Sequence, residues 1–72
     1  MKTSKEIGKT IRSVRKNLGI TQMGLAMTCG TGTRFIIDLE KGKETCQIGK
    51  VLKVIDTLGI KIELLLPHNK RE

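Results

Sequence analysis

The sequence predicts an all-α domain of four helices followed by one short β-strand. Three observations carry this. Apolar residues recur three and four positions apart in four successive stretches, the spacing that lines one face of a helix. Each stretch has its own start and stop residue, and the stops are Gly19, Gly30, Gly42 and Gly59. Only the last apolar run, Ile60 to Leu66, changes to a period of two before Pro67.

Helix one opens on Thr3-Ser4-Lys5-Glu6, which reads as a capping box: the Thr3 hydroxyl accepts from a backbone amide while Glu6 reaches back. Ile7, Ile11, Val14 and Leu18 form its stripe, and Gly19 ends it. Thr21 is placed to cap a short second helix carrying Leu25, Ala26 and Cys29. After a turn at Thr31-Gly32, helix three runs from about Thr33 to Lys41 with Ile36 and Leu39 inward. Helix four starts near Thr45 and shows Ile48, Val51, Leu52, Ile55 and Leu58 on one face.

The strand needs a mate, because a lone strand leaves its backbone unsatisfied. Nothing else in the chain resembles one. Pairing with the same strand of a second copy, through Ile60, Ile62, Leu64 and Leu66, gives a two-fold dimer. The alternative is that these residues extend helix four or pack as irregular chain. The reading divides the chain into a helical domain over 1–59, a dimerisation strand over 60–67 and a flexible tail over 68–72.

Size supports a partner. A chain of 72 residues makes one small domain and buries only about 60% of its unfolded surface. With one Phe and neither Trp nor Tyr, the core must be aliphatic. Cys29 and Cys46 are too few for a disulfide framework and lack metal-ligand spacing, so they read as small reduced thiols. The single histidine, His68, has no metal-ligand companion, and no nucleophile–base pair is present. The expectation is therefore no catalytic residue, no cofactor and no metal. No apolar run reaches the roughly 18 residues that span a bilayer, which points to a cytoplasmic protein.

Charge is more telling. Fourteen Lys and Arg against seven Asp and Glu give +7. Six of the fourteen (Lys2, Lys5, Lys9, Arg12, Arg15, Lys16) lie in the first sixteen residues, opposed there by Glu6 alone. Such an excess suits a polyanion, nucleic acid first and an anionic membrane surface second. The membrane reading is weak, because the apolar stripe of helix one is the one needed to pack the other helices.

The stretch "GTGTRFIIDLEKGK", residues 30 to 43, shows how the polyanion is met. It is not a P-loop: it lacks the Gly-Lys-Ser/Thr ending and follows a helix rather than a strand. Its glycines make a turn. Gln22, Ala26, Gly30, Ile36 and Leu39 instead space as a helix-turn-helix. Ala26 is small where two helices cross closely, and Gly30 lets the chain reverse. The second helix of such a unit enters the major groove with its N-terminal residues against base edges.

"RKNLGITQMGLAMTCG" followed by "FIIDLEKGK" resembles the Cro/repressor-like (XRE) helix-turn-helix family over roughly residues 7 to 59. Within that family the chain looks most like HipB-like antitoxins, through "TRFIIDLEKGK", "VLKVIDTLGIKIEL" and a C-terminal strand. The resemblance implies a four-helix repressor-like DNA-binding domain. It also implies an autoregulating antitoxin of a toxin-antitoxin operon, with a HipA-like Ser/Thr kinase toxin as partner.

Position and resemblance together suggest roles. Arg34 is the main candidate for base readout, since a guanidinium fits guanine O6 and N7 bidentately; a phosphate contact is its alternative. Thr33 and Thr31 flank the start of helix three, where hydroxyls either cap it or bond phosphate; Thr33 is counted with Arg34 among the base-reading residues and Thr31 among the backbone contacts. Phe35 either presses a thymine methyl or packs in the core. Asp38 either accepts from cytosine N4 or, the preferred reading, orients Arg34 as its i,i+4 neighbour. Gln22, at the start of helix two, can reach a backbone phosphate, and the resemblance supports that role. Lys41 and Lys43 map to backbone contacts. The resemblance also implies that Glu40 pairs with Arg15 as a buried structural ion pair. Gly24 departs from the family pattern, which has a polar helix former there.

A dimer of this kind would read a palindromic double-stranded operator with half-sites ~34 Å, or a multiple of that, apart. The competing function is a protein-binding module that only sequesters a kinase toxin. A general regulator unrelated to any toxin also fits these residues.

Overall fold

A computed structural model describes residues 3–67. The tail expected over 68–72, with His68, lies outside the described residues. Four helices follow in order: α1 (Ser4–Asn17), α2 (Gln22–Cys29), α3 (Thr33–Lys41) and α4 (Ile48–Thr57).

The start of α1 forms as its sequence dictates. The Glu6 amide donates to Thr3 Oγ1 and the Thr3 amide to Glu6 Oε1, both at 3.1 Å. Thr21 caps α2 by accepting from the Gly24 amide at 2.9 Å. All four helices close with the same pair of hydrogen bonds, seen at α1 as Ile20 N–H to Arg15 O and Gly19 N–H to Lys16 O. The glycine in each such closure has positive φ, from 71° to 91°, a region that a Cβ disfavours.

The core is aliphatic, with one thiol. Ile11, Leu25, Ala26, Cys29, Ile36, Leu39, Val51, Val54, Ile55 and Leu58 are buried together. α3 packs on both α1 and α2, and α4 packs on α2. The α1–α3 crossing is close because position 8 is glycine. A Cβ there would lie 2.4 Å from Leu39 O and 2.7 Å from Glu40 O, nearer than atoms can pack.

Three expectations are corrected. Leu18 is 55% exposed, because it is the C-cap of α1, past the last turn that faces the core; Ile20 packs there in its place. α4 begins at Ile48, not near Thr45: residues 44 and 45 form a turn, and Gln47 is the N-cap without a side-chain bond. Its buried face is Val51, Val54, Ile55 and Leu58, so Ile48 and Leu52 fall on the flank, at 67% and 47% exposed.

The segment 60–67 has neither helix nor strand in the single chain. The strand expected there has no ladder partner among the described residues, which is the physical reason none forms. Ile60 is half-buried against the core, whereas Ile62 and Leu64 to Leu66 are exposed.

Candidate nucleic-acid interface

The α2–turn–α3 unit is held by one buried ionic cluster. Arg15 Nε donates to Glu40 Oε2 at 2.6 Å and Nη2 to Glu40 Oε1 at 3.1 Å, so the contact is bidentate. The third guanidinium nitrogen donates to Ile20 O at 2.7 Å, tying the α1–α2 loop to the same point. Both side chains are buried. A charge pair out of water tolerates burial only when its polar atoms are also hydrogen-bonded, and among the described residues no buried side-chain nitrogen or oxygen lacks a partner.

Gln22 joins this cluster. Its Nε2 donates to Glu40 Oε1 at 3.1 Å, a bond that the sequence does not announce. One N–H of the carboxamide is thereby committed to the scaffold. The group is held at the first turn of α2, where the leading amides and the helix dipole favour an anion.

α3 begins differently from α1 and α2. Gly32 is its N-cap, so no side chain caps it, and the Thr31 and Thr33 hydroxyls make no hydrogen bond among the described residues. Capping is therefore not the work of either threonine. Both remain half-buried beside amides that have no intrahelical acceptor.

Arg34 stands in this first turn with its side chain 75% exposed. Nη2 lies 3.2 Å from Asp38 Oδ1, the i,i+4 pairing expected of the two. Lys43 Nζ lies 3.6 Å from Asp38 Oδ2, so one carboxylate braces two outward cations. Asp38 itself is half-buried and its cations reach into solvent, where such pairs contribute little stability; what the contact supplies is direction for the guanidinium.

Phe35 is half-buried and packed against the core, with Lys50 Nζ 5.7 Å from its ring centroid. Of the two placements open to the ring, the single chain adopts the core one. Lys41 is exposed and lines a cleft with Arg12, Gln22, Ile37 and Glu40. Ile37 is half-buried in that cleft.

Gly24, the departure in α2, is in the first turn rather than mid-helix, and its amide serves the Thr21 cap. A Cβ there would sit 3.1 Å from Thr21 Oγ1, tighter than ordinary packing.

Among the described residues no cluster of His, Cys, Asp or Glu could hold a metal ion. No described helix is long and apolar enough to cross a membrane. Cys29 is buried and Cys46 half-buried, and both are free.

Two sequential helices joined by a glycine turn, the second exposed at its N-terminus, define a helix-turn-helix protein. The chain belongs to the helix-turn-helix domain family, whose model matches residues 8–69. It is 50% identical over all 72 residues to the uncharacterized HTH-type transcriptional regulator y4mF of Sinorhizobium fredii (strain NBRC 101917 / NGR234), covering 95% of that protein. Two solved structures share its fold at a TM-score of 0.84 and 19% identity over 94% of this chain. They are described as an MDT protein and as a HipA-HipB-O2-O3 complex, and 96% of each matched chain is covered.

Two features of the surface were missed by sequence reasoning. Arg12 shares the cleft of Gln22 and Lys41, and its only sequence signal is the density of cations in the first sixteen residues. Lys50 sits over Phe35, a pairing across fifteen positions that no local pattern announces.

Proposed function

We propose that the protein is a transcriptional repressor that binds a palindromic double-stranded DNA operator as a homodimer, with α3 in the major groove. The observation that carries this is the start of α3. It has an uncapped turn with two unbonded threonine hydroxyls and an exposed arginine aimed by Asp38. In this reading Arg34 and Thr33 contact base edges, while Gln22, Thr31, Lys41 and Lys43 contact phosphates. The segment 60–67 pairs with its symmetry mate, covering the exposed Ile62, Leu64 and Leu66.

The finer reading is a HipB-like antitoxin that works in the cytoplasm, represses its own operon and binds a HipA-like Ser/Thr kinase. Its support is the resemblance of "TRFIIDLEKGK" and "VLKVIDTLGIKIEL" to that group, together with a fold shared with the HipA-HipB-O2-O3 complex.

The test is binding to a duplex selected by the protein from a random pool, titrated with salt. Log K should fall linearly with log salt, by ~0.9 per phosphate neutralised. Arg34→Ala should abolish the preference for the selected duplex over a scrambled one. A native protein whose binding is flat with salt refutes the phosphate contacts. Arg34→Ala with preference intact refutes the base contact. For the partner, Arg34→Ala should still bind a co-expressed HipA-like kinase. Loss of kinase binding in the folded variant refutes separate surfaces.

A further inference from the structure

α1 carries a feature that the interface above does not use. Lys5, Lys9, Arg12 and Lys16 are spaced by four, three and four residues, which places them in one row along the helix. All four are exposed, and none is in an ion pair among the described residues. The row lies on the side of α1 away from the Ile7–Ile11–Val14 stripe. Its neighbour is the C-terminal half of α3. The Lys5 backbone touches Gly42, the helix crosses at Gly8 against Leu39 and Glu40, and Arg12 lines the cleft with Gln22, Ile37 and Lys41.

We propose that this row is a second DNA contact line, continuing the phosphate contacts of Gln22 and Lys41 onto duplex that flanks the half-site. The inference rests on the DNA-binding reading above. Two observations favour it over a merely solvated face. The row is continuous with the interface, because Arg12 belongs to both. Among the described residues no carboxylate is paired with the row: the one acid of α1 is Glu6 of the capping box, and Glu40, which lines the cleft beside Arg12, is already bonded by Arg15 and Gln22. From Lys5 to Lys16 are eleven helical rises, about 16 Å. That matches roughly five base pairs at ~3.4 Å each. A row of flexible cations fits a phosphate backbone and carries no pattern for base edges, so it adds affinity and footprint without sequence preference.

The test uses the full-length protein and the palindromic duplex it selects from a random pool, made with and without about five flanking base pairs at each end. The variant combines Lys5→Gln, Lys9→Gln, Arg12→Gln and Lys16→Gln, exchanges that keep good helix formers at exposed sites. Flanks should strengthen native binding by ~10-fold or more and leave the variant unchanged, and the variant's salt slope should shrink by ~0.9 for each phosphate it no longer neutralises. Lys5→Gln with Lys9→Gln, outside the cleft of Gln22 and Lys41, should remove ~0.9 per phosphate lost and provides the reading if the combined variant is poorly folded. A native salt slope and native flank dependence in the folded variants overturn the proposal while leaving the α3 interface standing. A native protein that selects no duplex overturns both.

Discussion

The α1–α3 junction and the segment 60–67 both carry apolar surface, and among the described residues only the first finds its complement. At the junction, Gly8 lets two backbones approach, and three hydrogen bonds join Arg15, Glu40 and Gln22. In 60–67, Leu64, Leu65 and Leu66 are each more than 80% exposed and the backbone forms no ladder. The difference teaches where a 72-residue chain completes itself. Its helix-turn-helix scaffold is finished in one subunit, whereas the C-terminal segment leaves its leucines in solvent.

The largest expected effect breaks the finished side. Glu40→Ala leaves the Arg15 guanidinium buried without its carboxylate and frees the Gln22 amide. It should cost ~3–5 kcal/mol in urea unfolding, enough to leave so small a domain largely unfolded. A loss below about 1 kcal/mol would mean that water readily takes the place of the pair.

Gly8→Ala comes next, at ~1–3 kcal/mol, because the added methyl meets main-chain carbonyls that cannot rotate away. The same exchange at Gly49, where nothing lies within 4 Å, should be neutral or slightly stabilising and serves as the control. Equal melting temperatures for the two variants would show that the helices can part without loss.

The unfinished side is probed by Leu64→Lys with Leu66→Lys. Both residues are exposed in the single chain, so monomer stability should move by no more than ~0.5 kcal/mol. The native melting temperature should rise with protein concentration and the variant's should not, since subunit binding stabilises by mass action. A native melting temperature independent of concentration, with a monomer in sedimentation, would remove the dimer.

The smallest effect concerns Asp38→Asn. The pair with Arg34, whose guanidinium lies in solvent, should contribute ~0.5 kcal/mol or less to folding, while operator preference should drop as the guanidinium loses its brace. Unaltered preference would reduce Asp38 to a solvated neighbour.

Much of the scaffold was legible in the sequence. The capping box at Thr3 and Glu6, the Thr21 cap and the four glycine stops are local events, decided by residues within five positions of one another. The Arg34–Asp38 pair follows from helical spacing in the same way. The buried face of α4 was not so readable, because Ile48, Val51, Leu52, Val54, Ile55 and Leu58 supply more apolar positions than one face needs. Only the docking of α4 onto α2 chooses among them. Gly8 escaped notice because a helical glycine has no local signature of close approach.

By itself, then, the sequence determined that there are four helices, where three of them start and all of them stop, and that a helix-turn-helix in a basic chain carries Arg34 in the first turn of its second helix. These follow from short-range hydrogen bonds and periodicity, which act along the chain. The tertiary structure decided which side of α4 is inside, why residue 8 has no side chain, and that Gln22 lends its amide to Glu40. Those depend on atoms brought together from distant positions, and distance along the chain says nothing about them until the helices are packed.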